Sequence, residues 1–281
     1  MKVFTTTKTI QKELSSRNKR MQLGLVPTMG ALHAGHMSII EKAKEENDMI
    51  VVTIFVNPTQ FDKEEDLLNY PKKTERDLIL LEGANCDYVF MPSIEEMYDA
   101  NVKAETFDFD GLDEVMEGAF RKGHFNGVGT IVKKLFEIIV PDRAYFGEKD
   151  YQQLQIIKKM VAKSNINIKI IPCEIFREKS GLALSSRNAR LSPEQLTEAP
   201  LIYHTLLRSK ELFQKEDIDS VKDMVKKEFR KSSNMELEYF EIADIETLIP
   251  ASRYKSSNKK YRAFISVHVN DVRLIDNIAL N

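Results

Sequence analysis

Only two cysteines, Cys86 and Cys173, occur among the 281 residues. They stand far apart and fit neither a metal-ligand nor a redox spacing. They are therefore expected as buried small side chains rather than as a disulfide. A dominant charge sign is lacking too: 41 basic against 43 acidic residues leave a formal net charge of −2. No strong global field argues for nucleic acid or a membrane surface, and neither partner is expected. The basic cluster from Lys255 to Arg262 is short, is mixed with serine and asparagine, and reads as a solvated loop. No run of about 18 apolar residues occurs, so no membrane span is expected. Residues 1–7 hold no apolar signal core, and a cytoplasmic location is the expectation. There is no motif for a nucleophilic serine or cysteine, no internal repeat and no low-complexity segment.

What is present is ordinary for a globular protein, with 42% apolar and 30% charged residues. The length suits two domains with ample cores. Over residues 1–175, strand-like and helix-like segments alternate. Leu23-Gly24-Leu25-Val26 reads as a buried strand, and a helix starts near Ser38. Residues 49–56 form an almost unbroken β-branched and aromatic run, as a parallel strand buried on both faces requires. A helix is expected over residues 73–82 and a short strand at Tyr88-Val89-Phe90. Val132, Leu135, Phe136, Ile139 and Val140 mark an amphipathic helix over residues 129–140. A strand at 143–146, a helix over 151–164 and a strand over 166–171 follow. This alternation predicts a Rossmann-like α/β fold, a doubly wound parallel sheet.

After about Phe176 the pattern changes to a smaller α+β domain, residues 176–281. Ser192-Pro193-Glu194-Gln195 carries an N-cap serine and a proline at the first helical position. The helix should continue through Leu206 and Leu212 with a kink near Pro200. A second helix opens at Asp217 and ends near Ser232. Strands are expected over 237–243, 261–269 and 272–279, with Asn270-Asp271 as a hairpin turn.

Five histidines occur in all, and two of them, His33 and His36, share the tetrapeptide His33-Ala34-Gly35-His36. It lies where the first strand hands over to a helix. Free backbone N–H groups and the positive end of the helix dipole suit a polyphosphate there. Glycine permits close approach, and imidazoles add donors. On its own the tetrapeptide is equally a glycine-containing loop with two incidental histidines.

The flanking residues narrow the reading. Residues 26–36 resemble the nucleotide-binding signature of the pantoate–β-alanine ligase (pantothenate synthetase) family. Its HxGH is a variant of the signature shared by the wider nucleotidyltransferase superfamily. Three further blocks match in order: Val56-Asn57-Pro58-Thr59-Gln60-Phe61, Phe146-Gly147-Glu148-Lys149-Asp150-Tyr151-Gln152-Gln153-Leu154, and Leu184-Ser185-Ser186-Arg187-Asn188. The resemblance spans nearly the whole chain and is weakest after about residue 195. It implies that ATP drives the joining of pantoate and β-alanine through pantoyl adenylate, with AMP and pyrophosphate released.

The resemblance also assigns roles to single residues. His33 and His36 contact the phosphates, with Met29 and Gly30 in the same ATP-binding loop. Lys149 brings its charge to the α-phosphate; as a residue opening a helix at the surface, it would otherwise be merely solvated. Gly147 and Asp150 hold the ribose hydroxyls, although Asp150 could equally cap the following helix. Gln60 and Gln153 read the hydroxyls and carboxylate of pantoate, and Met29 lies against its gem-dimethyl group. Asn57, Tyr70 and Arg121 stand near the same substrate. Ser185, Ser186 and Arg187 form a mobile phosphate-binding loop, accompanied by Leu184 and Phe176, with the second domain closing over the site. Catalysis falls to His36, Lys149 and His33. Mg²⁺ is expected through the ATP phosphates, so no protein metal ligand is named. No general base for the β-alanine amine is identified. A homodimer is implied by the family. The competing readings are a nucleotidyltransferase acting on another small substrate and a catalytically silent nucleotide binder.

Overall fold

The computed structural model of the chain describes residues 1–62, 64–98 and 102–281. The chain divides into two compact units. One comprises Met1–Asp113, Glu117–Glu148 and Gln153–Glu174; the other comprises Glu114–Met116, Lys149–Gln152 and Ile175–Asn281.

The first unit is built on six strands: β1 (Lys2–Phe4), β2 (Leu23–Thr28), β3 (Met49–Ile54), β4 (Tyr88–Phe90), β5 (Arg143–Gly147) and β6 (Lys169–Cys173). They form one sheet in the order β1-β4-β3-β2-β5-β6. Every neighbouring pair is parallel. The β-branched run of β3 is buried as its composition demands: Ile50, Val51 and Val52 are fully covered. β2 and β3 run in register from Leu23 opposite Met49 to Thr28 opposite Ile54. The intervening helices Ala34–Glu46, Thr74–Gly83, His124–Ile139 and Tyr151–Lys163 complete a Rossmann-like α/β domain.

Several elements differ from the sequence reading. The helix His124–Ile139 begins five residues before the expected start at 129. Gly127 and Gly129 hid its first turn, yet both are buried there beside Phe125 and Val128. β6 runs later than expected and includes Pro172, which an edge strand tolerates because it need not donate on its outer side. The first strand and the helix Thr7–Ser15 were not foreseen. A three-residue strand is too short to show a period, and the helix buries only Ile10 and Leu14 at helical spacing, although Thr6 caps it by accepting from the Thr9 N–H.

The second unit pairs helices with an antiparallel sheet of β7 (Met235–Asp244), β8 (Tyr261–Val269) and β9 (Val272–Ala279). Its core joins Ile202, Leu206, Val221 and Val225 to Ile242, Ile265 and Val267. The expected kinked helix is two helices, Pro193–Glu198 and Leu201–Phe213, parted at Ala199 and Pro200. Ser192 caps the first in a reciprocal box with Gln195. The β8–β9 turn sits at Asn270-Asp271 as expected, with Asn270 at φ 51°. Among the described residues no helix is long and apolar enough to cross a membrane.

Candidate active site

Strand order reverses at β2. The chain passes from β2 to its neighbour β3 and on to β4, then returns to add β5 on the other side of β2. The carboxyl ends of β2 and β5 therefore flank the switch point at which open α/β sheets bind ligands. Met29 to His36 leaves the sheet there, directly after Thr28.

That loop is held in an unusual backbone shape. Gly30 and Ala31 both have positive φ, 82° and 51°. The turn they make aims two successive N–H groups at one carboxylate. Asp77 Oδ2 accepts from Ala31 and Oδ1 from Leu32, each at 2.8 Å. Asp77 is only 1% exposed. Thr28 Oγ1 accepts from the Gly30 N–H at 3.2 Å and donates to the Thr53 carbonyl at 2.7 Å. A side chain at Gly30 would press on Ile54 and Asp77 at 3.0 and 3.1 Å.

His33 then caps the helix Ala34–Glu46 in an extended conformation. Its backbone N–H donates to His36 Nδ1 at 3.3 Å, and the two half-buried rings lie 4.1 Å apart. With Nδ1 accepting, a neutral His36 carries its ring proton on Nε2, which is a donor suited to a phosphate oxygen.

After β3 comes a turn built on Asn57. This residue is 1% exposed and its amide is engaged on both sides. Oδ1 accepts from the Tyr98 hydroxyl at 2.6 Å and the Thr59 hydroxyl at 3.1 Å. Nδ2 donates to Gln60 Oε1 at 3.2 Å and to the Gly127 carbonyl at 3.1 Å. Asn57 thus supports the turn from beneath. Gln60 Nε2 in turn donates to Met29 Sδ at 3.0 Å. A sulfur and an amide from the ends of two neighbouring strands are thereby brought together.

His124 fixes the same turn from its other side. Its Nδ1 is 2.8 Å from the Gln60 carbonyl and its Nε2 is 3.1 Å from Arg121 Nη1. A guanidinium can only donate, so Nε2 accepts and Nδ1 carries the proton to Gln60. Arg121 also lies 3.8 Å from Glu117 and 3.9 Å from Asp62. The helix reaches the turn closely at Gly127, where a Cβ would come 2.1 Å from the Thr59 carbonyl oxygen. Tyr70 is half-buried and packs edge-on to Phe61, ring centres 5.9 Å apart. Gly147 ends β5 at the switch point.

In the second unit, Lys149 is more covered than a residue opening a surface helix should be: its side chain is 18% exposed and lies 3.6 Å from Asp150. The backbone here is anchored. Asn277 Nδ2 donates to the Lys149 carbonyl at 2.8 Å. The Tyr151 ring carries the Arg262 guanidinium 4.1 Å above it, and Gln152 donates to the Val115 carbonyl at 2.8 Å. Gln153 is half-buried at the start of the helix Tyr151–Lys163.

Phe176 and Leu184 are joined across a narrow hairpin, the Leu184 N–H donating to the Phe176 carbonyl at 3.0 Å, and Phe176 is exposed. Ser185 caps the short 3₁₀ turn Ser186–Arg190, its hydroxyl accepting from the Arg187 N–H at 3.3 Å. Ser185, Ser186 and Arg187 are half-buried.

The thiols take no part in this chemistry. Cys86 and Cys173 are free and buried, and burial pushes each up to about 11. At neutral pH neither is a thiolate.

Three supporting residues escaped the sequence reading. Asp77 lies within the helix expected over residues 73–82, and nothing local marks it as a clamp. His124 lies in none of the four matched blocks. Asn277 lies in a strand after residue 195, where no motif marks it.

Comparison with known proteins gives the family. The family described as pantoate-beta-alanine ligase matches residues 2–279. Pantothenate synthetase of Christiangramia forsetii is 52% identical over 260 residues, 92% of each chain. A crystal structure of the pantoate-beta-alanine ligase of Thermus thermophilus superposes with a TM-score of 0.92 at 38% identity, covering 100% of this chain and 99% of that one. The pantoate-beta-alanine ligase of Francisella tularensis, complexed with beta-gamma ATP and beta-alanine, superposes with a TM-score of 0.80 at 36% identity, covering 100% of this chain and 98% of that one. This chain belongs to the pantoate-beta-alanine ligase family.

Proposed function

We propose that the chain condenses pantoate with β-alanine at the expense of ATP, by way of pantoyl adenylate. The observation that carries this reading is the pairing of Met29 and Gln60 beside the histidine loop at the switch point. An apolar sulfur next to an amide suits a hydroxy acid with a gem-dimethyl group.

A pantoate carboxylate oxygen attacks the α-phosphorus of ATP. The bond from that phosphorus to the bridging oxygen breaks, and pyrophosphate leaves. The β-alanine amine, in its neutral form, then attacks the acyl carbon; the bond from that carbon to the adenylate oxygen breaks, AMP leaves, and the nitrogen gives up one proton to solvent. The first step needs positioning and neutralised charge rather than a protein nucleophile. His33 and His36 donate to phosphate oxygens, with Gly30 letting the backbone approach. Lys149 meets charge developing at the α-phosphate. Ser185, Ser186 and Arg187 bind the outer phosphates, beside Phe176 and Leu184. Gly147 and Asp150 take the ribose. Gln60 and Gln153 hold pantoate, Arg121 and Tyr70 stand near it, and Asn57 supports Gln60. On this reading residues 1–175 carry the pantoate site and the histidine loop, and residues 176–281 the outer-phosphate loop.

Among the described residues no three or more His, Cys, Asp or Glu side chains group as a metal would need. Mg²⁺ in this reading is held by the ATP oxygens, whose charge it neutralises. A cytoplasmic location, where ATP is plentiful, and a homodimer complete the proposal.

The test is product analysis. Incubated with pantoate, β-alanine, ATP and Mg²⁺, the protein should yield pantothenate, AMP and pyrophosphate in equal amounts. ADP and phosphate would indicate an acyl phosphate instead. Nucleotide transfer without amide formation would favour a nucleotidyltransferase.

A further inference from the structure

We infer that two adjacent residues of β9, Asp276 and Asn277, are positioning residues for the phosphate chemistry: Asn277 sets Lys149, and Asp276 sets the hairpin that feeds Ser185 to Arg187. This rests on the function proposed above. Aspartate and asparagine are depleted in strand interiors, and burying them costs free energy unless they are fully bonded. Here they stand side by side in a strand, 4% and 2% exposed. Their placement is explained by what they hold.

Asp276 forms a two-pronged ion pair with Arg177, Oδ2 accepting from Nη1 at 2.6 Å and Oδ1 from Nη2 at 2.8 Å. Arg177 also donates to the Gly181 carbonyl at 3.1 Å, and its guanidinium lies 3.9 Å over the Tyr203 ring. It bridges to Ala183 across the hairpin, two residues before Ser185. Gly181 turns that hairpin at φ 92°, where a Cβ would come 2.4 Å from Tyr203. The root of the loop is therefore fixed through one carboxylate.

Asn277 divides its amide between two tasks. Oδ1 accepts from Arg262, and Nδ2 donates to the Lys149 carbonyl at 2.8 Å. Its own N–H donates to Asp276 Oδ1 at 2.7 Å. One dipeptide thus bears on the α-phosphate lysine and, separately, on the outer-phosphate loop. The two residues should leave different kinetic signatures.

The test compares Asp276→Asn and Asn277→Asp in pantoate-dependent pyrophosphate exchange, with melting curves in parallel. Asn277→Asp keeps the acceptor for Arg262 and replaces the donor to the Lys149 carbonyl by a carboxylate oxygen that repels it. It should lower kcat about tenfold or more while the KM values for ATP and pantoate stay within about threefold, the pattern of an interaction made in the transition state. Asp276→Asn should raise the KM for ATP about tenfold with kcat within about threefold, the pattern of lost ground-state binding. Unchanged kinetics in either variant, movement of the same parameter in both, or losses that only track the folded fraction would overturn the inference. No exchange by the wild type would sink the functional reading and this inference with it. Exchange by the wild type alongside variants that fail to separate sinks the inference alone.

Discussion

The buried carboxylate of Asp77 holds the backbone N–H of Ala31 at 2.8 Å, in a residue whose φ of 51° is left-handed without being glycine. A left-handed non-glycine residue persists only where its surroundings over-determine it. The neighbouring bond to Leu32 completes the clamp, and His33 follows immediately. Asp77→Asn leaves an amide that can accept from only one of its two ends and presents N–H to N–H at the other. Chemical denaturation should show a loss of about 1–3 kcal/mol. Pyrophosphate exchange by the folded protein should fall as well, because His33 and His36 lose their fixed starting point. Full activity in a folded variant would show that the loop does not need its clamp.

Gly127→Ala should be equally revealing, from the opposite side of the site. Its new methyl would meet the Thr59 carbonyl at 2.1 Å, so helix and turn must part. Overpacking of this kind costs about 1–3 kcal/mol. The turn carries Gln60, so the KM for pantoate should rise more than the KM for ATP; steady-state titration of each substrate decides it.

Gln60→Ala and Gln153→Ala should each weaken pantoate binding more than ATP binding. A polar ligand group left without its partner costs about 1–3 kcal/mol. Calorimetric titration of each ligand separates the two effects. Equal losses for both ligands would mean that the amides shape the loops and do not read the acid.

Acid stability should depend on Glu238. Burial alone would raise its carboxyl, but Arg273, bonded at 2.6 and 2.9 Å, and His268 at 3.2 Å outweigh it and hold the group below its ordinary 4.5. A carboxyl lowered by folding stabilises the native state fully above its ordinary value, and that contribution is lost as pH falls through the lower folded value. Glu238→Gln should therefore melt below the wild type at pH 7. The gap should begin to close as pH falls through about 4.5 and vanish only below the lowered folded value, where the wild-type carboxyl is protonated in both states. A gap that stays constant with pH would exclude the ion pair as its origin.

Much of this was legible in the sequence for physical reasons. The β-branched run of β3 has one solution, a strand covered on both faces, and the apolar stripe from Val132 to Ile139 has another. The histidine tetrapeptide followed a strand and opened a helix, a place with its own chemistry. What stayed hidden is what has no local signature. The clamp from Asp77 joins residues 46 positions apart in the chain. The bond from Asn277 to Lys149 joins residues 128 apart. The bonds of the Asn57 amide to Gln60 and to the Gly127 carbonyl, 70 positions away, have no local pattern either. The glycines at 127 and 129 masked a helix start because their value lies in close approach, not in helix propensity.

The central claim is that the chain activates pantoate as an adenylate before any amine is needed. Exchange of labelled pyrophosphate into ATP tests it most directly. Exchange should require pantoate and Mg²⁺, proceed without β-alanine, and fall by about 10²–10³ in Lys149→Ala, the usual loss when one donor to a developing oxyanion is removed. Absence of exchange in the folded wild-type protein, or exchange that appears only when β-alanine is added, would contradict it.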